Sequence, residues 1–105
     1  MTTGTRTRDL ARIFRALGDP SRLAIFELVR RSTPEDRDLL AGDLRNSVTE
    51  ISNQFDLSLS TVSHHLKELR QAGLIHCERQ GQHIFCSVDD EALADVEQFL
   101  KTTEP

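Results

Sequence analysis

Large aromatic side chains are scarce in this chain, which has no tryptophan, no tyrosine and five phenylalanines. A chain of 105 residues with 37% hydrophobic residues makes one small domain with a modest core. This favours the burial of a further apolar helix face in a dimer. The sequence also lacks an apolar run long enough to span a membrane and lacks a signal peptide. We therefore predict one small domain located in the cytoplasm.

Cysteine and the signatures of enzyme active sites are scarce as well. The two cysteines, Cys77 and Cys86, lie nine residues apart and do not make the disulfide framework of a secreted protein. The sequence has no glycine-rich phosphate loop, no zinc-hydrolase histidine pair and no nucleophile elbow. We therefore predict that the chain is not an enzyme and needs no cofactor.

An excess of positive charge, the usual mark of a nucleic-acid-binding protein, is missing, because the formal net charge is −4 at pH 7. The negative charge is concentrated in residues 32–57, with a net charge of −4, and in residues 89–105, with −5. Residues 1–31 carry +4 and residues 58–88 carry +1. A basic face can persist on such a chain. We expect its attraction for phosphates to be moderate and strongly salt-dependent.

Helical periodicity covers most of the chain. It predicts a first helix over residues 6–17 and a second over 20–31, which Asp19 caps. Residues 34–44 are predicted to be a short extra helix or an ordered loop, with solvated acidic side chains rather than a calcium site. Residues 90–101 are predicted to be the last helix. The apolar stripes of the first and last helices consist of Leu10, Ile13, Phe14, Leu17, Leu93, Val96 and Leu100.

Two capped helices joined by a tight turn lie in the middle of the chain. Ser47 begins a capping box and is predicted to open a short helix over 48–55. A three-residue turn follows and ends at Ser58, which caps a longer helix over 59–72. Gly73 suits the left-handed position that ends this second helix. Short helix, turn and longer helix are the helix-turn-helix pattern.

The longer helix has two different faces. Val62, Leu66 and Leu69 form an apolar stripe at helical spacing. The opposite face carries small or moderately sized hydrogen-bonding side chains, which suit entry into a DNA major groove. The residues predicted to lie nearest the bases are Ser60, Ser63 and His64. The residues predicted to hold phosphates are Ser58, Thr61, His65 and Lys67.

Two β-rich runs, residues 74–79 and 82–89, predict a hairpin around Gly81. In either possible register the more apolar face, predicted to face the core, carries Ile75, Cys77, Ile84, Cys86 and Val88. The other face carries His76, Glu78, His83 and Phe85. At the tip, Arg79 and Gln82 are predicted to contact the DNA backbone beside the recognition site.

The two cysteines share one face of this hairpin. If Gly81 and Gln82 are the central turn residues, Cys77 and Cys86 lie directly opposite each other, within reach of a disulfide. If Gln80 and Gly81 are central, the cysteines are diagonal. The favoured interpretation is a pair of small buried apolar residues. A redox or thiophilic sensor is the alternative hypothesis.

Together these elements predict a mainly α winged helix-turn-helix domain with a small β-hairpin wing. The domain is predicted over residues 6–101, after a disordered segment at 1–5 and before a tail at 102–105. This architecture favours a sequence-specific DNA-binding regulator. The alternative, supported by the negative net charge, is a winged helix used as a protein-interaction module.

Two strings resemble the ArsR family of bacterial transcriptional repressors: A-L-G-D-P-S-R-L-A-I at residues 16–25 and S-L-S-T-V-S-H-H-L-K-E-L-R-Q-A-G-L-I at residues 58–75. The wing and S-V-D-D-E-A-L at residues 87–93 also match. The resemblance implies a homodimer that binds a palindromic operator in double-stranded DNA and pairs its first and last helices. The implied dimer interface consists of Leu10, Ile13, Phe14, Leu93, Val96 and Leu100.

The chain departs from this family where metals are sensed. The family's Cys-x-Cys pair is replaced here by Ser47 and Thr49. Its site on the last helix uses Asp and His, but no His follows His83, and Ala92 stands where a ligand is needed. The adjacent His64 and His65 point about 100° apart around a helix and do not converge on one ion. We therefore predict no metal site and leave the inducing signal open.

Overall fold

A computed structural model of the chain describes residues 3–31 and 47–101, with side chains from Thr7 onwards. Its elements, in chain order, are α1 (Thr3–Leu17), α2 (Pro20–Arg31), α3 (Val48–Phe55), α4 (Leu59–Gln71), β1 (Ile75–Gln80), β2 (His83–Val88) and α5 (Asp90–Lys101). This order confirms the predicted helical domain with a β-hairpin wing. None of the described helices is both long and apolar enough to cross a membrane.

Helix α1 begins at Thr3, three residues before its predicted start at Arg6. No proline interrupts this stretch, and extending an existing helix gains one hydrogen bond for each residue fixed. The predictions for residues 34–44 and 102–105 lie outside the described residues.

The junction between α1 and α2 is held by side chains at both helix ends. Asp19 caps α2, as predicted, because its carboxylate accepts a hydrogen bond from the backbone N–H of Arg22 at 3.0 Å. This bond lowers the pKa of Asp19 below its ordinary value. The Arg22 guanidinium donates in turn to the carbonyl of Ala16, satisfying a carbonyl at the end of α1. One short segment therefore ends α1 and begins α2.

Serine side chains fix both the start of α3 and the turn that joins it to α4. Ser47 accepts from the backbone N–H of Glu50 at 3.1 Å, which confirms the predicted cap of α3. The hydroxyl of Ser52, buried within the domain, donates to the carbonyl of Leu57 in the turn. Asp56 adopts the left-handed conformation at φ 54°, which ends α3 and redirects the chain. The Ser52 bond and the conformation of Asp56 fix the direction in which α4 leaves the turn.

The C-terminal end of α4 is a Schellman motif centred on Gly73. Gly73 has φ 80° and donates its N–H to the carbonyl of Arg70. Leu74 donates to the carbonyl of Leu69 at 3.0 Å, and both leucines are fully buried. The predicted role of Gly73 is confirmed. The buried leucine pair connects the end of α4 to the start of the wing.

The core lies between the helices and one face of the hairpin. Helix α2 packs against α1, α4 and β2, while α4 also contacts α1, α3 and β1. The apolar stripe predicted for α4 is confirmed, since Val62, Leu66 and Leu69 are at most 3% exposed. The other buried members of the core are Ile13, Ala16, Ile25, Phe26, Val29, Ile51, Leu74, Ile75, Cys86 and Ala92.

The hairpin pairs β1 with β2 in the register that has Gly81 and Gln82 at the turn. Gly81 has φ 64°, which suits the first central position of a type II′ turn. Ile75 and Cys86 are buried on the core face, as predicted. The prediction did not foresee that Phe85, on the opposite face, is only 3% exposed. The reason is that α3 also packs against β2, and Ser47 just before α3 pairs with the strand edge at Phe85, so this side chain is covered by a segment outside the hairpin.

Candidate nucleic-acid interface

Helix α4 presents a polar face to the solvent above its buried stripe. The side chains predicted to lie nearest the bases, Ser60, Ser63 and His64, are all exposed, and so is Lys67. His65 is half-buried, and its Nδ1 atom is buried with no hydrogen-bond partner in the structure. The structure therefore brings together the small polar side chains that can reach base edges, and it holds His65 at their margin.

Hydroxyl groups organise the first turn of α4. The Ser58 hydroxyl accepts from the backbone N–H of Thr61 at 3.1 Å and donates to the Thr61 hydroxyl at 2.8 Å. It also lies 3.2 Å from the Ser60 hydroxyl. Ser58 is thus engaged as the helix cap, while Ser60 retains capacity for further hydrogen bonds. The positive end of the helix dipole lies at this turn and favours a phosphate there.

Leu59, the first residue of α4, is a part of this surface that the sequence analysis missed. Its spacing from Val62 and Leu66 places it on the same stripe, yet 54% of Leu59 is exposed. The stripe runs past the end of the core at this position. An exposed aliphatic side chain beside Ser60 can contact the methyl group of thymine, which is a direct means of base recognition.

The wing tip carries the other predicted DNA contacts. Arg79 near the end of β1 and Gln82 within the turn are both exposed at the end of the hairpin. Because α4 contacts β1, the hairpin is held against the recognition helix rather than separate from it. Arg79 supplies a positive charge, and Gln82 supplies an amide donor for phosphate oxygens.

An apolar patch lies where the side chains of α1 and α5 meet. The rings of Phe14 and Phe99 lie 5.7 Å apart, and the side chains are 38% and 48% exposed. Leu100 is 66% exposed. We call Phe14, Phe99 and Leu100 the α1–α5 patch. Phe99 was missed by the sequence analysis, although it lies three residues after Val96 and next to Leu100.

The remaining residues of the predicted dimer interface lie deeper. Leu10 and Ile13 are 6% and 5% exposed, so they are buried within a single chain without a partner. Leu93 and Val96 are half-buried and pack against the core. The accessible apolar surface of these two helices is therefore concentrated near their C-terminal ends, in the α1–α5 patch.

A further interaction that the sequence did not suggest joins the wing to α5. Asp89 caps α5 by accepting from the backbone N–H of Ala92 at 2.9 Å, and the ring of His76 lies 2.7 Å from the same carboxylate. The backbone hydrogen bond is the main cause of a lowered pKa of Asp89, and His76 adds to it. Asp89 therefore ties the start of β1 to the last helix.

The two cysteines lie directly opposite each other in the hairpin, so the register that brings them together is the one observed. Their sulfur atoms are 3.4 Å apart, at hydrogen-bond distance between two thiols. Cys77 is half-buried and Cys86 is buried. The pKa of Cys77 is lowered to about 6, first by the hydrogen bond from Cys86 and then by Arg70.

In the part of the chain that the structure describes, no three His, Cys, Asp or Glu side chains are grouped so that they could hold a metal ion. Neighbouring His64 and His65 have ring centroids 6.0 Å apart at an interplanar angle of 50°. Among the described residues, the polar face of α4 and the wing tip therefore offer hydroxyls, other hydrogen-bond donors and a few cations. These groups suit a nucleic-acid backbone and base edges.

Comparisons with known proteins agree with this geometry. A helix-turn-helix domain family matches residues 17–78. The transcriptional repressor SdpR of Bacillus subtilis is 35% identical over 83 residues, which cover 79% of each chain. A cadmium resistance regulatory protein, the CadC homolog of Staphylococcus aureus, is 31% identical over 83 residues, covering 79% of this chain and 60% of that protein.

Solved structures share the fold over nearly the whole chain. The crystal structure of an ArsR family transcriptional regulator superimposes with a TM-score of 0.69 at 28% identity, covering 90% of this chain and 84% of that chain. A homodimeric winged helix-turn-helix domain from Mycobacterium bovis has a TM-score of 0.70 at 21% identity, covering 93% and 80%. The chain therefore belongs to the ArsR family of winged helix-turn-helix transcriptional regulators, as the sequence predicted.

Proposed function

We propose that this regulator acts as a homodimeric repressor that binds a palindromic operator, with α4 of each protomer in the major groove. The observation that carries the proposal is the structure of α4 itself. Its apolar stripe is buried, its first turn is capped by Ser58, and Ser60, Ser63 and His64 stand exposed on the opposite face. A helix held in this way can present short side chains to base edges without losing its packing.

Roles within the proposed interface follow from the chemistry of each side chain. Ser63 and His64 contact bases, and Leu59 contacts a thymine methyl group. Lys67 and the wing residues Arg79 and Gln82 hold phosphates, which contribute affinity without sequence information. Ser58 and Thr61 order the helix start, and half-buried His65 contacts the backbone at the margin.

The proposed dimer pairs α1 and α5 of one protomer with those of the other. The α1–α5 patch is the exposed apolar surface that such pairing covers, and the structural relative from Mycobacterium bovis is described as homodimeric. Two α4 helices related by a two-fold axis require two half-sites of inverted sequence. The family membership favours this function over a protein-interaction module. We propose no catalytic activity, and we propose that the regulator acts in the cytoplasm.

The test separates phosphate contacts from base contacts. Fluorescence polarisation with operator and unrelated DNA is measured at several salt concentrations for Arg79→Ala and Ser63→Ala. We expect Arg79→Ala to weaken binding to both DNAs alike and to reduce the slope of log K against log salt by about 1. Ser63→Ala is expected to change the preference between sequences. Lys101→Ala, which removes a positive charge at the end of α5, is the control and should leave both quantities unchanged.

Two results would contradict the assignment. One is a change in operator preference in Arg79→Ala without a general loss of affinity. The other is binding that does not respond to salt, which would support a protein-interaction module instead. Sedimentation of the DNA complex gives its stoichiometry, and one protomer per operator would contradict the dimer.

A further inference from the structure

We propose that Cys77 and Cys86 form a thiol–disulfide site in the wing, which a hydroperoxide oxidises to a cross-strand disulfide and which thereby weakens operator binding. The chemical part of this proposal stands on the geometry of the hairpin. The effect on DNA rests on the proposed function. Oxidation and DNA binding are therefore measured separately below.

The hairpin already holds the two cysteines in a position that a disulfide can occupy. Gln80 and His83 flank a two-residue turn as a hydrogen-bonded pair, and the two kinds of pair alternate along antiparallel strands. Counting back three pairs makes Cys77 and Cys86 a non-hydrogen-bonded pair, whose Cα atoms are about 4.5 Å apart. Disulfides accept Cα separations of about 4.4–6.8 Å. Rotation of the side chains can therefore close the 3.4 Å between the sulfur atoms without breaking the strand pairing.

The two thiols differ in exposure and acidity, so they have different roles in the oxidation. Cys77 is half-buried and open to a small oxidant, whereas Cys86 is only 1% exposed. The pKa of Cys77 is lowered to about 6, because the Cys86 thiol donates a hydrogen bond to its thiolate and Arg70 stabilises the negative charge. Cys77 is therefore mainly thiolate at neutral pH, and thiolates are the reactive form. Buried cysteines of an ordinary core are inert.

The oxidation proceeds in two steps that balance. The Cys77 thiolate attacks one oxygen of the hydroperoxide, the O–O bond breaks, and Cys77 becomes a sulfenic acid while an alkoxide or hydroxide leaves. The Cys86 thiol then loses its proton and attacks the Cys77 sulfur. An S–S bond forms, the S–O bond breaks, and water leaves. Two thiols are oxidised and one hydroperoxide is reduced.

Arg70 connects this site to the recognition helix. It lies in the last turn of α4, which packs against β1, and its positive charge is among the causes that lower the pKa of Cys77. Disulfide formation removes the negative charge of Cys77, so this electrostatic link between α4 and the wing is lost. A partly exposed ion pair contributes little free energy. We therefore expect operator affinity to fall by up to about fivefold.

The chemical test uses the full chain and hydrogen peroxide, with intact mass spectrometry and thiol counting as readouts. Each wild-type chain is expected to lose two thiols and about 2 Da with no covalent link to a second chain, by the chemistry of a disulfide. Cys86→Ser should stop at a sulfenic acid on Cys77, trapped by dimedone. Cys77→Ser should react slowly, because Cys86 is buried. The pH profile of alkylation should have its midpoint for Cys77 near 6.

A wild type that keeps both thiols, or that forms its disulfide between two chains, would overturn the site. So would an alkylation midpoint at the ordinary thiol value of about 8.5. Arg70→Gln is the matched variant, since it keeps both cysteines and removes the positive charge. It is expected to move the midpoint upwards, and an unchanged midpoint would contradict the role of Arg70.

The DNA test compares reduced and peroxide-treated protein by polarisation with operator DNA. Weaker binding of the oxidised wild type, restored by dithiothreitol and absent from the Cys77→Ser, Cys86→Ser double variant, supports the coupling. A disulfide that forms without any change in affinity overturns it. If the reduced wild type binds no DNA at all, the proposed function fails, and the mass and thiol measurements still decide whether the oxidation site exists.

Discussion

Leu100 is the most exposed large hydrophobic side chain among the described residues, at 66%. It lies next to the last residue of α5, where a substitution disturbs little else. We predict that Leu100→Ser converts the proposed dimer largely to monomer at micromolar concentrations. The reason is that Leu100 contributes apolar area to the α1–α5 patch and adds little to the core of its own chain.

The magnitude follows from its exposure. Full burial of a leucine side chain contributes about 1.5–3 kcal/mol, and roughly two-thirds of this remains for Leu100 to gain in a dimer. Two-fold symmetry places the residue in the interface twice. The dimer should therefore lose about 2–4 kcal/mol. This corresponds to a dissociation constant raised by about 30- to 1000-fold.

Sedimentation equilibrium over a range of protein concentrations measures this change, and circular dichroism melts check that the fold persists. Leu59→Ser is the matched control, because Leu59 is 54% exposed but lies at the start of α4. It should leave the dimer intact and change only DNA binding. Equal dimer dissociation constants for wild type and Leu100→Ser would refute the assignment of the interface to the α1–α5 patch.

Two further predictions concern the stability of the wing and its junction. Phe85→Ala should lower the free energy of unfolding by about 3–5 kcal/mol, because a buried phenylalanine leaves a cavity. Ile84→Ala is the comparison, because Ile84 is only half-buried. If chemical denaturation showed that Ile84→Ala lowers the free energy of unfolding as much as Phe85→Ala, the packing of Phe85 would be contradicted. Asp89 contributes stability that is present above its unfolded pKa, about 3.9, and is lost as the pH falls through its lowered folded pKa. Asp89→Asn keeps the cap of α5 and should flatten this acid dependence in melts between pH 2 and 5, whereas an unchanged pH profile would show that Asp89 does not cause it.

The helix-turn-helix was predictable because its signals are local. The caps at Ser47 and Ser58 and the left-handed end at Gly73 each depend on a few neighbouring residues, and all three are confirmed. The buried stripe of α4 depends only on the repeat of the helix. The sequence therefore predicted which helix is presented and which of its faces is polar.

The features that periodicity alone did not show depend on what other segments supply. Phe85 alternates with the core face of β2 and looked exposed, but α3 and the residue before it pack against this strand and cover it. Leu59 follows the buried stripe, yet the core does not extend beneath it. Leu10 and Ile13 fit a dimer stripe, and the single chain already covers most of their surface, while their place in the interface stays a prediction. Periodicity gives the face on which a residue lies and not the segment that covers that face.

The cysteine pair shows the same division most clearly. The sequence alone determined that Cys77 and Cys86 share a face of one hairpin, because side chains alternate along a strand. It left open whether they lie opposite or diagonal, since the glycine at the turn suits two registers. The tertiary structure selected the register with Gly81 and Gln82 at the turn. It also packed α4 against β1, so that Arg70 lowers the pKa of Cys77. Such contacts arise between segments that are separate in sequence, so only the folded chain determines them.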